Sequence, residues 1–192
     1  ITLLTGGNNT VSVMDSNHLT GYWDCNEGSG TMAADSSGSG NNGILSTSGW
    51  SSVTPPGLLF GNSHSLDLKG NGKAFTANPP IMGTDNFTMA AWFYPEENLT
   101  GKCILYNGDE DSSNTGYGLF VDDGELKLMY GGEEIADLDP SVQLTPNKWH
   151  HLALTGSKGE WVIYHNGIAQ KLIKPNVKAN PLDNPDSPPK FF

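Results

Sequence analysis

The sequence predicts an all-β fold of short strands joined by tight turns, as in a sandwich or a barrel, and three observations carry this prediction. Apolar and polar residues alternate in many short segments. In residues 125–130, for example, Leu126, Leu128 and Tyr130 face one way and Lys127 faces the other. Turn-forming residues separate these segments at intervals of about 8–12 residues. No segment shows the period of an amphipathic helix.

The predicted strands follow one another along most of the chain. They are expected over residues 19–24, 43–45, 57–60, 65–68, 87–95, 102–106, 117–121, 125–130, 148–155, 160–166 and 168–173. The proline-rich stretch 175–189 predicts a long loop, and residues 190–192 predict the opening of one more strand. We therefore expect one domain over residues 19–192, preceded by a leader or edge segment at 1–18.

Two dipeptides predict hairpin turns between neighbouring strands. Asp123-Gly124 stands between the strands at 117–121 and 125–130, and Asn166-Gly167 precedes the strand at 168–173. Such pairs supply the positive φ angles that two-residue hairpin turns require. The turns favour antiparallel pairing of the strands that they join.

Composition excludes several classes of protein. The chain has 192 residues and a net charge of −11, from 21 acidic residues against 10 basic residues that are all lysine. A nucleic-acid-binding surface needs a basic patch, so a nucleic-acid partner is not expected. The sequence has no apolar run near the length that spans a bilayer, so we expect no membrane span. The turn-rich, weakly charged composition is typical of extracellular proteins.

Cys25 and Cys103 are the only cysteines, and their spacing fits no zinc motif. They form either one disulfide or two buried thiols. An extracellular location favours the disulfide, which we take as the expectation. The sequons at Asn8, Asn86 and Asn98 would carry glycans only in a eukaryotic source.

Several segments, in this order, resemble the LamG-like jelly-roll domains of the concanavalin A-like lectin/glucanase superfamily. These are LTGYWDCNEGSG at 19–30, ADSSGSGNNG at 34–43, LLFG at 58–61, NFTMAAWFYP at 86–95, WHHLAL at 149–154 and WVIYHNG at 161–167. The resemblance implies a jelly-roll sandwich of two stacked antiparallel sheets. Within that frame we expect Trp23, Trp92 and Trp161 to fill the space between the sheets.

Related domains continue beyond the equivalent of Phe192 with a final strand that pairs beside the first one. The resemblance therefore implies that this strand is missing from the sequence. We expect the strand beside 19–24 to come from a longer parent protein with flanking domains, from residues 11–14 folding back, or from a strand-donating neighbour.

The resemblance also implies a structural calcium in the oxygen-rich loop at 35–43. The ligands carried over are the Asp35 carboxylate, the Gly38 carbonyl, and Asn41 or Asn42. The alternative is an Asx-turn in which Asp35 bonds amides of its own loop. The family's further acidic ligand, from the last strand, is lacking in this sequence.

Three other features have weaker functional interpretations. Trp50 is expected in a loop, where its indole either stacks on a sugar or packs against the sheet edge. The acidic stretch 107–114 has part of the spacing of a calcium loop but lacks the glycine and glutamate of an EF-hand, so we expect a solvated hairpin tip. His150 and His151 are adjacent on a strand and point to opposite faces, so they do not form a joint metal site.

The sequence offers no set of catalytic residues for a family enzyme. A glycosidase needs two carboxylates on one strand face, and the acidic stretch 133–139 lacks the family's spacing. We therefore expect a non-catalytic binding or adhesion module, secreted or on the cell surface, whose ligand is a glycan or an extracellular protein. The alternatives are a structural module that decorates a filament, pilus-like fibre or virion, and a glycoside-active enzyme.

Overall fold

The structure is a computed structural model, and it describes residues 18–55, 62–70, 72–76, 86–108, 116–130, 133–157, 160–173 and 190–191. All regular secondary structure in these ranges is β-strand. The strands are β1 (Met32–Ala33), β2 (Gly43–Ser46), β3 (Gly49–Ser51), β4 (Ser65–Asp67), β5 (Lys73–Thr76), β6 (Phe87–Phe93), β7 (Lys102–Asn107), β8 (Tyr117–Asp122), β9 (Glu125–Tyr130), β10 (Glu133–Leu138), β11 (His150–Ser157), β12 (Glu160–His165), β13 (Ile168–Gln170), β14 (Leu172–Ile173) and β15 (Lys190–Phe191).

The strands form two main antiparallel sheets, as a jelly-roll sandwich requires. The larger sheet has the order β1-β2-β5-β15-β7-β8-β9-β10-β14, and the smaller one has the order β13-β12-β11-β6. β3 and β4 form a separate two-stranded ribbon. The neighbours β5 and β15 are far apart in the chain, so this part of the larger sheet depends on long-range pairing.

Both predicted hairpin turns are confirmed. Asp123 and Gly124 have φ angles of 47° and 74° between β8 and β9, and Asn166 and Gly167 have φ angles of 51° and 80° between β12 and β13. Positive φ at both central residues matches the right-handed twist of the flanking strands. The second turn fixes the register that places β13 beside β12.

The main core lies between the two sheets. Its fully buried side chains come from alternate positions of both sheets, and they are Leu119, Val121, Leu126, Leu128, Leu152, Leu154 and Ile163. Trp161 packs here against Phe87 and Tyr117, with ring centroids 5.2 and 4.9 Å apart. A smaller cluster of Ala33, Leu45 and Ala74 lies under β1, β2 and β5.

Most of the predicted strands that lie in the described residues are confirmed. The segment 19–24 is not a strand, since only Trp23 pairs there, in an isolated bridge with Asp35. β1, β3, β5 and β10 were not among the predicted strands; the first three are too short to give a clear alternation, and β10 was noted only as an acidic stretch. The strand predicted at 190–192 is present as β15 and pairs with β5 and β7.

Some predictions fall outside the described residues. These are the leader at 1–17, the strand at 57–60, most of the acidic stretch 107–114 and the loop at 175–189. The domain boundaries and the source of a strand beside 19–24 therefore stay predictions. No helix long and apolar enough to cross a membrane is found in the described part of the chain.

Candidate functional site

The outer face of the smaller sheet presents an exposed tryptophan among small and aromatic side chains. Trp92 on β6 lies opposite His151 on β11. Two residues further along the strands, a second outward-facing row runs across the sheet. Neighbours in this row are paired across the strands, in the order Ala90, Ala153, Tyr164 and Ala169. We call Trp92, Ala90, His151, Ala153, Tyr164 and Ala169 the outer face.

Trp92 is not between the sheets, so this sequence prediction is wrong. Its side chain is 40% exposed, whereas Phe87 and Met89 on the same strand are buried. The reason is the two-residue period of a strand, which turns even-numbered positions of β6 away from the core once Phe87 points inward. Trp161 is confirmed in the core, and Trp23 packs against the smaller cluster.

The rings of Trp92 and His151 pack edge to face, with centroids 5.2 Å apart and an interplanar angle of 66°. This contact limits the rotation of the indole and leaves much of its surface in solvent. The indole Nε1–H has no acceptor within the described part of the chain. It is therefore available to donate a hydrogen bond to a ligand.

The outer face is electrically neutral close to Trp92. Burial lowers the pKa of His151, so its imidazole is uncharged at neutral pH. Among the described residues, the acidic side chain that points outward from this sheet is Glu160. It lies at the end of β12 that is farthest from Trp92, beyond Val162. The face therefore suits an uncharged ligand better than an ionic one.

A hydrogen-bonded chain beneath the sheet supports the position of His151. Asn166 Oδ1 accepts from the His151 amide at 2.9 Å, and Asn166 Nδ2 lies 3.2 Å from His165 Nε2. His165 Nε2 in turn lies 2.8 Å from Nδ1 of His150, which is only 4% exposed. Sequence reasoning missed this pair, because the two histidines meet only through the register of β11 and β12.

The two adjacent histidines point to opposite sides of β11, as predicted. His150 points into the protein and His151 to the outer face. Within the described residues, no group of three or more histidine, cysteine, aspartate or glutamate side chains is arranged to hold a metal ion.

The Asp35 loop is organised by hydrogen bonds from backbone amides to one carboxylate. Asp35 Oδ1 accepts from the amides of Tyr22 and Ser37, and Oδ2 accepts from the amide of Asn41, each at 2.9 Å. Partial burial would raise the pKa of Asp35, but hydrogen bonds from Tyr22, Ser37 and Asn41 outweigh it and lower the pKa. The carboxylate therefore stays ionised over the neutral range.

The side chains of the two asparagines extend this network. Asn42 Oδ1 accepts from the Asp35 amide at 2.9 Å, and Asn41 Nδ2 donates to the Thr20 carbonyl at 2.7 Å. The Asn41 carbonyl accepts from Trp23 Nε1 at 2.9 Å. The loop thus ties residues 20–23 to the start of β2.

The loop fits a calcium ion only in part. A carboxylate has about four acceptor positions, and amides occupy three of those on Asp35. The Ser37 side chain also donates to this carboxylate, so the other oxygens that the loop offers are the Gly38 carbonyl and the Asn41 Oδ1 atom. Calcium takes about 6–8 oxygens, so water or another segment would have to complete the shell.

Trp50 packs against the protein rather than standing free. It lies on β3, not in a loop, and its Nε1 donates to the Gly30 carbonyl at 3.0 Å. Its side chain is half-buried against the smaller cluster. The structure therefore corresponds to the packing interpretation of this residue.

The structure has no disulfide between Cys25 and Cys103, contrary to the expectation. Cys25 lies in the loop after Trp23, and its Sγ donates to the Trp23 carbonyl at 3.8 Å. Cys103 is buried on β7, opposite Phe120 of β8. Burial, together with the nearby Glu27 and Asp24 carboxylates, raises the pKa of Cys25 to about 12.

Comparison with known proteins gives one family and one solved structure. A family profile described as the Concanavalin A-like lectin/glucanases superfamily matches residues 68–187. The fold is similar to domain 4 of AbnA, a GH43 extracellular arabinanase from Geobacillus stearothermophilus, which was solved in complex with arabinotriose. The TM-score is 0.58 at 15% identity, over 82% of this chain and 75% of that chain. No curated protein sequence matches the chain.

Proposed function

Because the chain belongs to the concanavalin A-like lectin/glucanases superfamily, we propose that it is a non-catalytic glycan-binding module of a secreted or surface-attached protein. The observation that carries this proposal is the exposed indole of Trp92 on the outer face. A tryptophan held by an edge contact offers a flat apolar surface, and the C–H face of a sugar ring packs well on such a surface. The arabinotriose bound to the structurally similar domain supports a glycan as the ligand class.

The chemistry of the outer face supports binding rather than hydrolysis. Glycoside hydrolysis needs two carboxylates that flank the scissile bond. Glu160 is the single acidic side chain at the described outward positions of the smaller sheet, and it lies away from Trp92. A module of this kind would hold a glycan, or attach a cell to one, without cleaving it.

Affinity electrophoresis through gels that contain neutral polysaccharides tests the proposal. Wild-type protein should be retarded by at least one polysaccharide, and W92A should migrate as in an empty gel. The matched control is M32A, which removes a side chain that is 51% exposed on the other sheet and should leave the retardation unchanged. Equal retardation of wild type and W92A would exclude the outer face as the binding site.

A structural role with a protein partner is the second candidate, and a different surface favours it. Met32 and Ile44 are cross-strand neighbours on β1 and β2, and they are 51% and 42% exposed. Exposed apolar pairs of this kind occur at protein interfaces. If this surface is the functional one, M32A and not W92A should abolish attachment to the parent filament or cell surface.

We propose further that the Asp35 loop binds a structural calcium. The residues that would hold it are Asp35, Gly38, and Asn41 or Asn42. The support is an ionised carboxylate in a loop rich in oxygen atoms. The ion would neutralise the negative charge of Asp35, in a loop that backbone amides already hold in place.

A further inference from the structure

We infer that the ligand of the outer face is a neutral, linear oligosaccharide that lies diagonally across the sheet from Trp92 to Tyr164. This inference rests on the proposed glycan-binding function and specifies its ligand. It follows from the register of three strands, from the small side chains between the two aromatic residues and from the charge around them.

The register separates the two aromatic residues by more than one sugar ring can cover. Trp92 and Tyr164 lie two strands apart, on β6 and β12, and Tyr164 is offset by two residues along the strand direction. Strand spacing and residue rise give a separation of about 12 Å between their Cα atoms. Ring stacking operates at centroid distances of about 4.5–7 Å. A single sugar therefore stacks on one of these residues, and a chain of sugars is needed to reach both.

The surface between Trp92 and Tyr164 is formed by small side chains. Ala153 lies beside Tyr164 and opposite Ala90, and it is only 9% exposed. Ala169 continues the same row beyond Tyr164. Alanine at these positions leaves an unobstructed path for an extended ligand, because a longer side chain would rise from the middle of the face.

The polar groups along this path suit hydroxyl groups. The indole Nε1–H of Trp92 and the neutral imidazole of His151 lie at one end, and the hydroxyl of Tyr164 belongs to the other end. The imidazole is neutral at neutral pH because burial lowers the pKa of His151. The chain has a net charge of −11, and Glu160 is at the rim, so acidic glycans would be repelled.

Calorimetric titration with two series of neutral oligosaccharides, from arabinose and glucose up to their linear hexamers, tests the inference. Affinity should rise steeply from the single sugar to the trimer or tetramer and then level off in one of the series. W92A and Y164A should each lower the affinity for the long members by about tenfold, which is the size expected for one lost aromatic stack. Y164F keeps the ring and should retain most of the affinity, and M32A should bind as wild type does.

Two results would overturn the inference, and they are distinguishable. If a single sugar binds as tightly as the longer members and only W92A matters, the site holds one ring, and glycan binding survives without the diagonal path. If no neutral sugar binds to protein whose far-ultraviolet circular dichroism and melting midpoint are normal, both the inference and the proposed function fail.

Discussion

His150 Nδ1 and His165 Nε2 lie 2.8 Å apart, and their rings stack beneath the sheet that carries Trp92. His150 Nε2 lies 3.0 Å from the Thr145 carbonyl, which can only accept, so this nitrogen carries a proton. His165 Nε2 faces both His150 Nδ1 and, at 3.2 Å, Asn166 Nδ2, which can only donate, so the proton positions of the pair depend on each other. The two rings are too close for both to carry a positive charge, so the pair resists full protonation.

We expect the free energy of unfolding to decrease as the pH falls below about 6.5. Burial, and then the charge of His150, lowers the pKa of His165, and burial lowers the pKa of His151. As the pH falls, the unfolded chain binds protons before the folded one does, because its histidine pKa is the ordinary value of about 6.5. The contribution of these histidines to the free energy of unfolding is therefore fully present above that pH and is lost as the pH falls through the folded pKa. Urea unfolding at pH 7.5 and pH 5 measures the change.

H165Q is the matched variant for the pH experiment. It removes one of the two titrating rings and should reduce the pH dependence between pH 7.5 and pH 5, although it also lowers stability at both. H64Q is the matched control, because it removes a half-buried histidine outside the pair and should leave the contribution of His165 in place. A wild-type protein that is equally stable at both pH values would contradict the assignment.

The Asp35 carboxylate should contribute more to stability than an ordinary loop aspartate. D35A removes the acceptor of three backbone amides and should lower the free energy of unfolding by about 1–3 kcal/mol. The control is D67A, since Asp67 accepts from one amide, that of Lys69, at 2.9 Å. Thermal and urea unfolding in EDTA measures the hydrogen-bond contribution without calcium. Equal losses for the two variants would show that the network contributes nothing beyond one bond.

Calcium should raise the melting midpoint of wild-type protein, because an ion that binds only the folded state stabilises it. D35N keeps the shape of the side chain and removes its charge, so the calcium-dependent shift should disappear in this variant. Melting scans in EDTA and in excess calcium give the comparison. An unchanged wild-type midpoint would remove the calcium proposal and leave the amide network intact.

Neither cysteine should be in a disulfide in solution. The raised pKa of Cys25, about 12, leaves little thiolate at neutral pH, and Cys103 is buried on β7, so native protein should react slowly with iodoacetamide. Intact mass after alkylation in denaturant, without a reductant, should show two added groups. A mass with no added group, which gains two only after reduction, would establish the Cys25–Cys103 disulfide instead.

Local sequence patterns predicted the parts of the fold that depend on neighbouring residues. The hairpin turns at Asp123-Gly124 and Asn166-Gly167 and the long strands around them are encoded by turn chemistry and two-residue alternation. The outward position of Trp92 was also predictable. The alternation that buries Phe87 and Met89 places residue 92 on the opposite face, and that signal was outweighed by the apolar character of the segment.

Features that arise from long-range pairing could not be predicted from local patterns. β15 lies between β5 and β7 although more than a hundred residues separate β5 from it, and β1 has only Met32 and Ala33 to signal it. The approach of His150 to His165 depends on the register of a hairpin and not on either segment alone. The outer face likewise exists only once β6, β11 and β12 are aligned.

The location of a bound glycan in a crystal structure tests the central claim most directly. Crystals soaked with arabinotriose, or with the oligosaccharide that binds best in solution, should show one sugar ring packed on the indole of Trp92 and the chain running over Ala153 toward Tyr164. A glycan held elsewhere with the outer face bare, for example against Trp50 and the β3–β4 ribbon, would contradict the account.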